Sequence, residues 1–134
     1  MSRRRLGYLL KHANLRLAQH TGPALEPYGV DGRELAVLNV LDSADPLSQQ
    51  EAATRLRIDR TTMVAMIDTL EGKELVSRRP HPDDRRKNMV ELTPRGRDTL
   101  RDGGQAVDEA EQAFLAKLAP DDAARLRELL DKLI

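Results

Sequence analysis

The chain has no cysteine and no tryptophan, and aromatic residues make up only 2% of its 134 positions: Tyr8, Tyr28 and Phe114. Without cysteine there are no disulfides, thiolate metal sites or thiol-based redox sensing. With so few aromatics, the core has to be built from Leu, Ala, Val, Ile and Met, which favours packed helices over a β sandwich. No apolar run approaches 18 residues, so no transmembrane helix is expected. The basic start Met1-Ser2-Arg3-Arg4-Arg5 is not followed by a signal-peptide core, and the expected location is the cytoplasm. No Ser/His/Asp set, carboxylate pair, P-loop or G-x-G-x-x-G stands out, so the chain is not expected to be an enzyme or to need a cofactor.

There is also no net charge: 22 basic residues balance 22 acidic ones. The zero conceals segregation. Residues 1–30 carry five basic and one acidic residue, and residues 76–101 carry eight basic and four acidic. Residues 31–54 and 102–134 each come to −4. A local basic patch governs contact with phosphates, and the total does not.

The rest of the chain is organised around residues 47–93. Ser48-Gln49-Gln50-Glu51 is a capping box that opens a short helix with a thin apolar face of Ala52, Ala53 and Leu56. Arg57-Ile58-Asp59 makes a turn, and Asp59 caps a second helix. There Met63, Met66, Ile67 and Leu70 form an inward stripe at i, i+3, i+4 and i+7. The other side of that helix offers Arg60, Thr61, Thr62, Val64 and Ala65, a short face that fits a DNA major groove. An extended run from Leu75 through Arg78-Arg79 meets a prolyl loop, and Asn88–Leu92 alternates as a return strand. Between the strands lies the charged tip His-Pro-Asp-Asp-Arg-Arg-Lys. Two helices split by a tight turn, followed by a basic hairpin, make a helix-turn-helix with a wing.

The flanks read as helices. Leu6, Leu9, Leu10, Ala13 and Leu17 predict a helix over about residues 4–20. Arg3–Arg5 form a solvated or DNA-reaching arm ahead of it. Pro23 then kinks the helix or starts a short segment to Pro27. Asp31, with Glu34 at the reciprocal position, starts a buried helix that runs to about Ser43. Thr93-Pro94 starts a long helix with Leu100, Val107, Phe114 and Leu118 inward. Gly103-Gly104 interrupt its middle and imply a kink, a close helix crossing or a weak point, each interior glycine costing roughly 1 kcal/mol relative to alanine. Pro120 opens a last helix striped by Leu126, Leu129, Leu130 and Leu133. Short helices this apolar need a partner, and a second copy of the chain is the simplest one.

Two stretches carry a resemblance to a known family. The wing segment DDRRKNMVELTPRG fits a D-x-R motif followed by V-x-L-T-x-x-G, through Asp84, Arg86, Val90, Leu92, Thr93 and Gly96. LSQQEAATRLRIDRTTMVAMIDTLEGKELV fits helix for helix. In these, and over about residues 6–134, the chain resembles the MarR family of bacterial winged-helix regulators. The resemblance implies a mainly α (α+β) fold in one domain, residues 1–134. Residues 30–97 would form the winged helix-turn-helix, and residues 1–29 and 98–134 the helical dimerisation part. It implies a homodimer reading a pseudo-palindromic operator in double-stranded DNA, commonly as a repressor released by a small aromatic or anionic effector. The chain departs from the family at Glu74, where a glycine is common. Either Glu74 takes up a left-handed cap, at a cost of roughly 1–2 kcal/mol, or the helix ends at Gly72.

The candidate DNA-binding residues fall into three groups. Arg60, Thr61, Thr62, Val64 and Ala65 are read as reaching base edges and phosphates from the second helix. Ser48 and Gln49 start the preceding helix, where Ser48 is either a pure cap or also a phosphate contact. In the wing, Asp84 orients Arg86 for the minor groove, with Arg85 and Lys87 beside it, while Arg78 and Arg79 touch phosphates. Family analogy adds an effector pocket near His12, Arg16, Tyr28 and Gly103. His12 and His20 lie about 80° apart around their helix with no third ligand, so no metal is expected. Two other readings compete: a winged helix that grips a protein, and a DNA-binding regulator with no effector.

Overall fold

Most of the helices begin where a short polar side chain meets the unpaired N–H groups of a first turn. Asp31 accepts the Glu34 N–H at 2.8 Å and the Glu34 carboxylate accepts the Asp31 N–H at 3.1 Å, opening helix α2 (Gly32–Leu41). Ser48 and Glu51 repeat the arrangement at 3.0 and 3.4 Å to open α3 (Gln49–Leu56). Asp59 caps α4 (Arg60–Gly72), and Thr93 caps α5 (Pro94–Phe114) with Pro94 in its first turn. Two outer helices, α1 (Leu6–Leu25) and α6 (Pro120–Asp131), start without a side-chain cap. The computed structural model describes residues 3–84 and 86–134.

Helix α1 continues through Pro23, past its expected end near residue 20. Proline removes one N–H from the ladder, and the orphaned carbonyl, that of Gln19, belongs to an exposed residue where water can satisfy it. Leu25, only 1% exposed, anchors the far end in the core. One 3₁₀ turn, Glu26–Tyr28, follows, and Gly29 closes it at φ +69°.

Strands β2 (Val76–Pro80) and β3 (Asn88–Leu92) form the antiparallel wing, with Val76 opposite Leu92 and Pro80 opposite Asn88. A third strand, β1 (Leu47–Ser48), pairs with the other edge of β3, giving the order β1-β3-β2. At two residues, β1 is too short to show a period-two pattern, so the sequence does not announce it. Pro80 is tolerated as the last residue of an edge strand. The largest fully buried side chains of the core are Leu25, Val37, Leu38, Met63, Ile67, Leu70 and Val90, which join α1, α2, α4 and the sheet. Met66 lies at the rim of this core, half-buried, so the predicted inward stripe is three residues deep.

Thr93 ties the base of the wing together. Its hydroxyl donates to the Glu74 carbonyl at 2.7 Å and accepts the Gly96 N–H at 2.9 Å, while its own N–H donates to the Leu75 carbonyl at 3.1 Å. A Cβ on Gly96 would overlap that same Leu75 carbonyl. This accounts physically for the T-x-x-G spacing. Helix α4 does end at Gly72, and Glu74 still takes the left-handed conformation, at φ +63°. Between them, Lys73 donates to the Gly29 carbonyl and to the Glu34 carboxylate, both at 2.7 Å, joining the end of α4 to the start of α2.

Helix α5 is unbroken across Gly103-Gly104, and of the three readings the structure supports the close crossing. A Cβ on Gly103 would lie 3.3 Å from a Leu35 methyl and 3.4 Å from a Leu25 methyl, while Gly104 faces open space. Leu118, expected inward, is exposed, because α5 stops at Phe114 and residues 115–118 form a turn. Leu129, Leu130 and Leu133 near the C-terminus are exposed as well, as are Leu6, Leu9, Leu10 and Leu15 on α1.

Candidate nucleic-acid interface

Arg60, Thr61 and Ala65 stand exposed on the outer face of α4, and Val64 is half-buried beside them. Thr62 is engaged in the cap: its N–H and hydroxyl donate to the Asp59 carboxylate at 3.0 and 2.6 Å. Those two bonds hold the Asp59 carboxyl below the usual carboxylate range, so the cap stays charged at neutral pH. The five residues read as one face therefore divide into three open positions, one half-covered position and one hydroxyl tied to the helix start.

The wing tip folds toward the same place. An open cleft of about 320 Å³ is lined by Ser48 and Gln49 from the start of α3, Arg60 from α4, and Arg86, Lys87 and Asn88 from the wing. Residues from all three predicted groups thus share one surface. Asp84 accepts both the Arg86 N–H, at 3.0 Å, and its Nε, at 3.4 Å, and the Arg86 side chain is 94% exposed. The ion pair expected within the D-x-R motif is present. Lys87 is exposed, and its N–H donates to the Asp84 carbonyl at 3.0 Å. Arg85, also read as a wing contact, lies outside the described residues. Ser48 is buried and its hydroxyl accepts the α3 capping bond, so the pure-cap function is fulfilled in the structure.

Arg78 and Arg79, read from the sequence as a pair, point to different surroundings. Arg79 is exposed and 3.4 Å from Glu91 across the strands. Arg78 is turned inward, with its side chain 17% exposed. Its Nε donates to Gln49 at 2.8 Å, its Nη1 to Glu71 at 3.2 Å, and its Nη2 to the Val64 carbonyl at 3.2 Å, with Asp68 at 2.6 Å. Strand alternation carries this signal: Val76 faces the core, so Arg78 shares its face and Arg79 does not.

The suggested effector trio does not assemble within the chain. His12 stacks against Tyr8, with ring centroids 4.1 Å apart, and Arg16 is exposed one turn further along α1. Because α1 is continuous, about 20 Å of helical rise separates His12 from its end at Leu25. Tyr28 instead lines a separate cleft with Lys73, Arg95 and Thr99. Among the described residues, no group of three or more His, Asp or Glu is placed to hold a metal, and no helix is long and apolar enough to cross a membrane.

Comparison with known proteins agrees with this geometry. A family model described as the MarR family matches residues 32–87. The chain is 33% identical over 105 residues to a putative transcriptional regulatory protein for the hcr operon of Thauera aromatica, a match that covers 78% of this chain and 63% of that protein. The chain therefore spans less than two thirds of that relative's length. Coverage of solved structures is fuller. The transcriptional repressor CouR, bound to a 23-mer DNA duplex, is 35% identical, with 96% of this chain and 92% of that one aligned at a TM-score of 0.90. A mutant MarR from E. coli complexed with operator DNA is 28% identical, with 96% and 93% aligned at a TM-score of 0.86.

Proposed function

The chain belongs to the MarR family of winged-helix transcriptional regulators, and on that footing we propose that it is a cytoplasmic, homodimeric repressor of a pseudo-palindromic operator. Residues 30–97 read DNA and residues 1–29 with 98–134 pair the subunits. The observation that carries the reading is the shared cleft, where Arg60, Arg86 and Lys87 converge on the start of α3. With α4 in the major groove, the wing reaches the neighbouring minor groove, whose narrow stretches attract arginine. The exposed leucines of α1 and the C-terminal region supply an apolar surface suited to a second copy. A small aromatic or anionic effector would release the DNA only by binding the two spacings of the reading heads unequally.

The test is selection of bound duplexes from a random pool, followed by anisotropy titration of the winner at several salt concentrations. The expected result is a two-fold-symmetric site with half-site centres about 10 bp apart and binding that weakens with salt. A pool that yields no enriched sequence, or one without symmetry, overturns the reading. A thermal-shift screen with aromatic acids tests the effector, the expected hit being a compound that raises Tm and frees the DNA.

A further inference from the structure

Arg78 has the chemistry of a phosphate contact, but it is surrounded by partners from the fold. Its positive charge faces two carboxylates, Asp68 and Glu71, and three of its nitrogens are engaged by α3 and α4. The backbone N–H of Arg78 also meets Glu71, at 3.3 Å. One guanidinium thus fastens strand β2 to two successive turns of α4 and to the first residue of α3. A planar fork with fixed donors can hold these directions together, which a single ammonium cannot.

The contact with Gln49 has a second effect. Arginine only donates, so the Gln49 atom facing Nε is the amide oxygen. With that oxygen pinned, the NH₂ group is the prong left to meet an acceptor, and Gln49 lines the cleft shared with Arg60, Arg86 and Lys87.

We propose that Arg78 is a positioning residue for DNA reading, which sets α4 against the wing and presents the Gln49 NH₂ to the duplex without touching DNA itself. This rests on the DNA-binding reading above. Two variants of the full chain test it: Arg78→Lys, and Asp68→Asn, whose side chain is 62% exposed and whose loss leaves every cation in place. Each is titrated by anisotropy against the selected duplex and a scrambled duplex of equal length, at several salt concentrations.

A positioning role predicts that both variants lose about tenfold in affinity for the selected duplex, the scale of one good base contact. Affinity for the scrambled duplex stays within about twofold and the salt slope is unchanged, because the number of neutralised phosphates is the same. Asp68→Asn gives a test of sign, since removing an acidic charge near DNA should by electrostatics alone tighten binding to both duplexes. Tightening on both overturns the proposal, as does an Arg78→Lys variant that matches the parent. Equal loss on both duplexes with a shallower slope for Arg78→Lys makes Arg78 a phosphate contact and also overturns it. If the parent itself selects no duplex, the underlying DNA reading fails and takes this one with it.

Discussion

Replacing Glu74 by glycine should stabilise the protein. Glu74 sits at φ +63°, a conformation that costs an L-residue roughly 1–2 kcal/mol and glycine almost nothing. Little is lost in exchange. The Glu74 side chain is within 3.4 Å of Arg95, but both are well exposed, and such pairs contribute only about 0–1 kcal/mol. The bond from Thr93 goes to the Glu74 carbonyl, which the substitution keeps. Glycine also gains freedom in the unfolded chain, which takes back roughly 0.5–1 kcal/mol. With so exposed a pair taken at the zero end of that range, the net effect is a gain of about 0.5–1 kcal/mol, or a rise in Tm of about 2–4 °C for a chain of 134 residues. Calorimetry at equal protein concentration reads it, since association shifts Tm by mass action. A Tm equal to or below the parent's would refute the assignment of strain to this residue.

Arg86→Ala should weaken binding to the selected duplex and flatten the salt slope by about one unit per subunit; unchanged affinity and slope in an anisotropy titration would remove the wing from the interface. Gly96→Ala forces a methyl into the Leu75 carbonyl and should destabilise the fold by about 3 kcal/mol, read as a lower urea midpoint. Asp59 titrates below its ordinary value when folded, so its contribution is present above the unfolded pKa and is lost as pH falls through the folded one. The Tm gap between the parent and Asp59→Ala should therefore narrow on acidification from neutral pH to about pH 3; a gap that stays constant would show that the carboxylate charge contributes nothing.

What could be read from the sequence was local. The two capping boxes, the Asp59 cap and Thr93-Pro94 each place donor and acceptor within four residues, so they stand in the structure where spacing puts them. The strands of the wing follow from alternation and from its prolines. The misreadings arose where a distant partner decides. Packing of Leu25 carries α1 past Pro23, and the fit of Gly103 against Leu25 and Leu35 selects the close crossing from the three readings left open. The inward turn of Arg78 depends on acidic residues of a different element, 7 and 10 positions earlier in the chain. The alternation of β2 already implied it, but the run of basic residues drew both arginines into one reading.

The packing of α1 on α5 also has a consequence in time. Leu25 and Gly103 are neighbours in space and 78 positions apart in the chain. At ribosomal speeds of about 5–20 residues per second, α1 emerges roughly 4–16 s before the helix that covers it. During that interval the winged part can close on its own shorter-range contacts, while Leu25 has no neighbour on α5 to pack against. The packing of α1 on α5 therefore cannot form until α5 has left the ribosome.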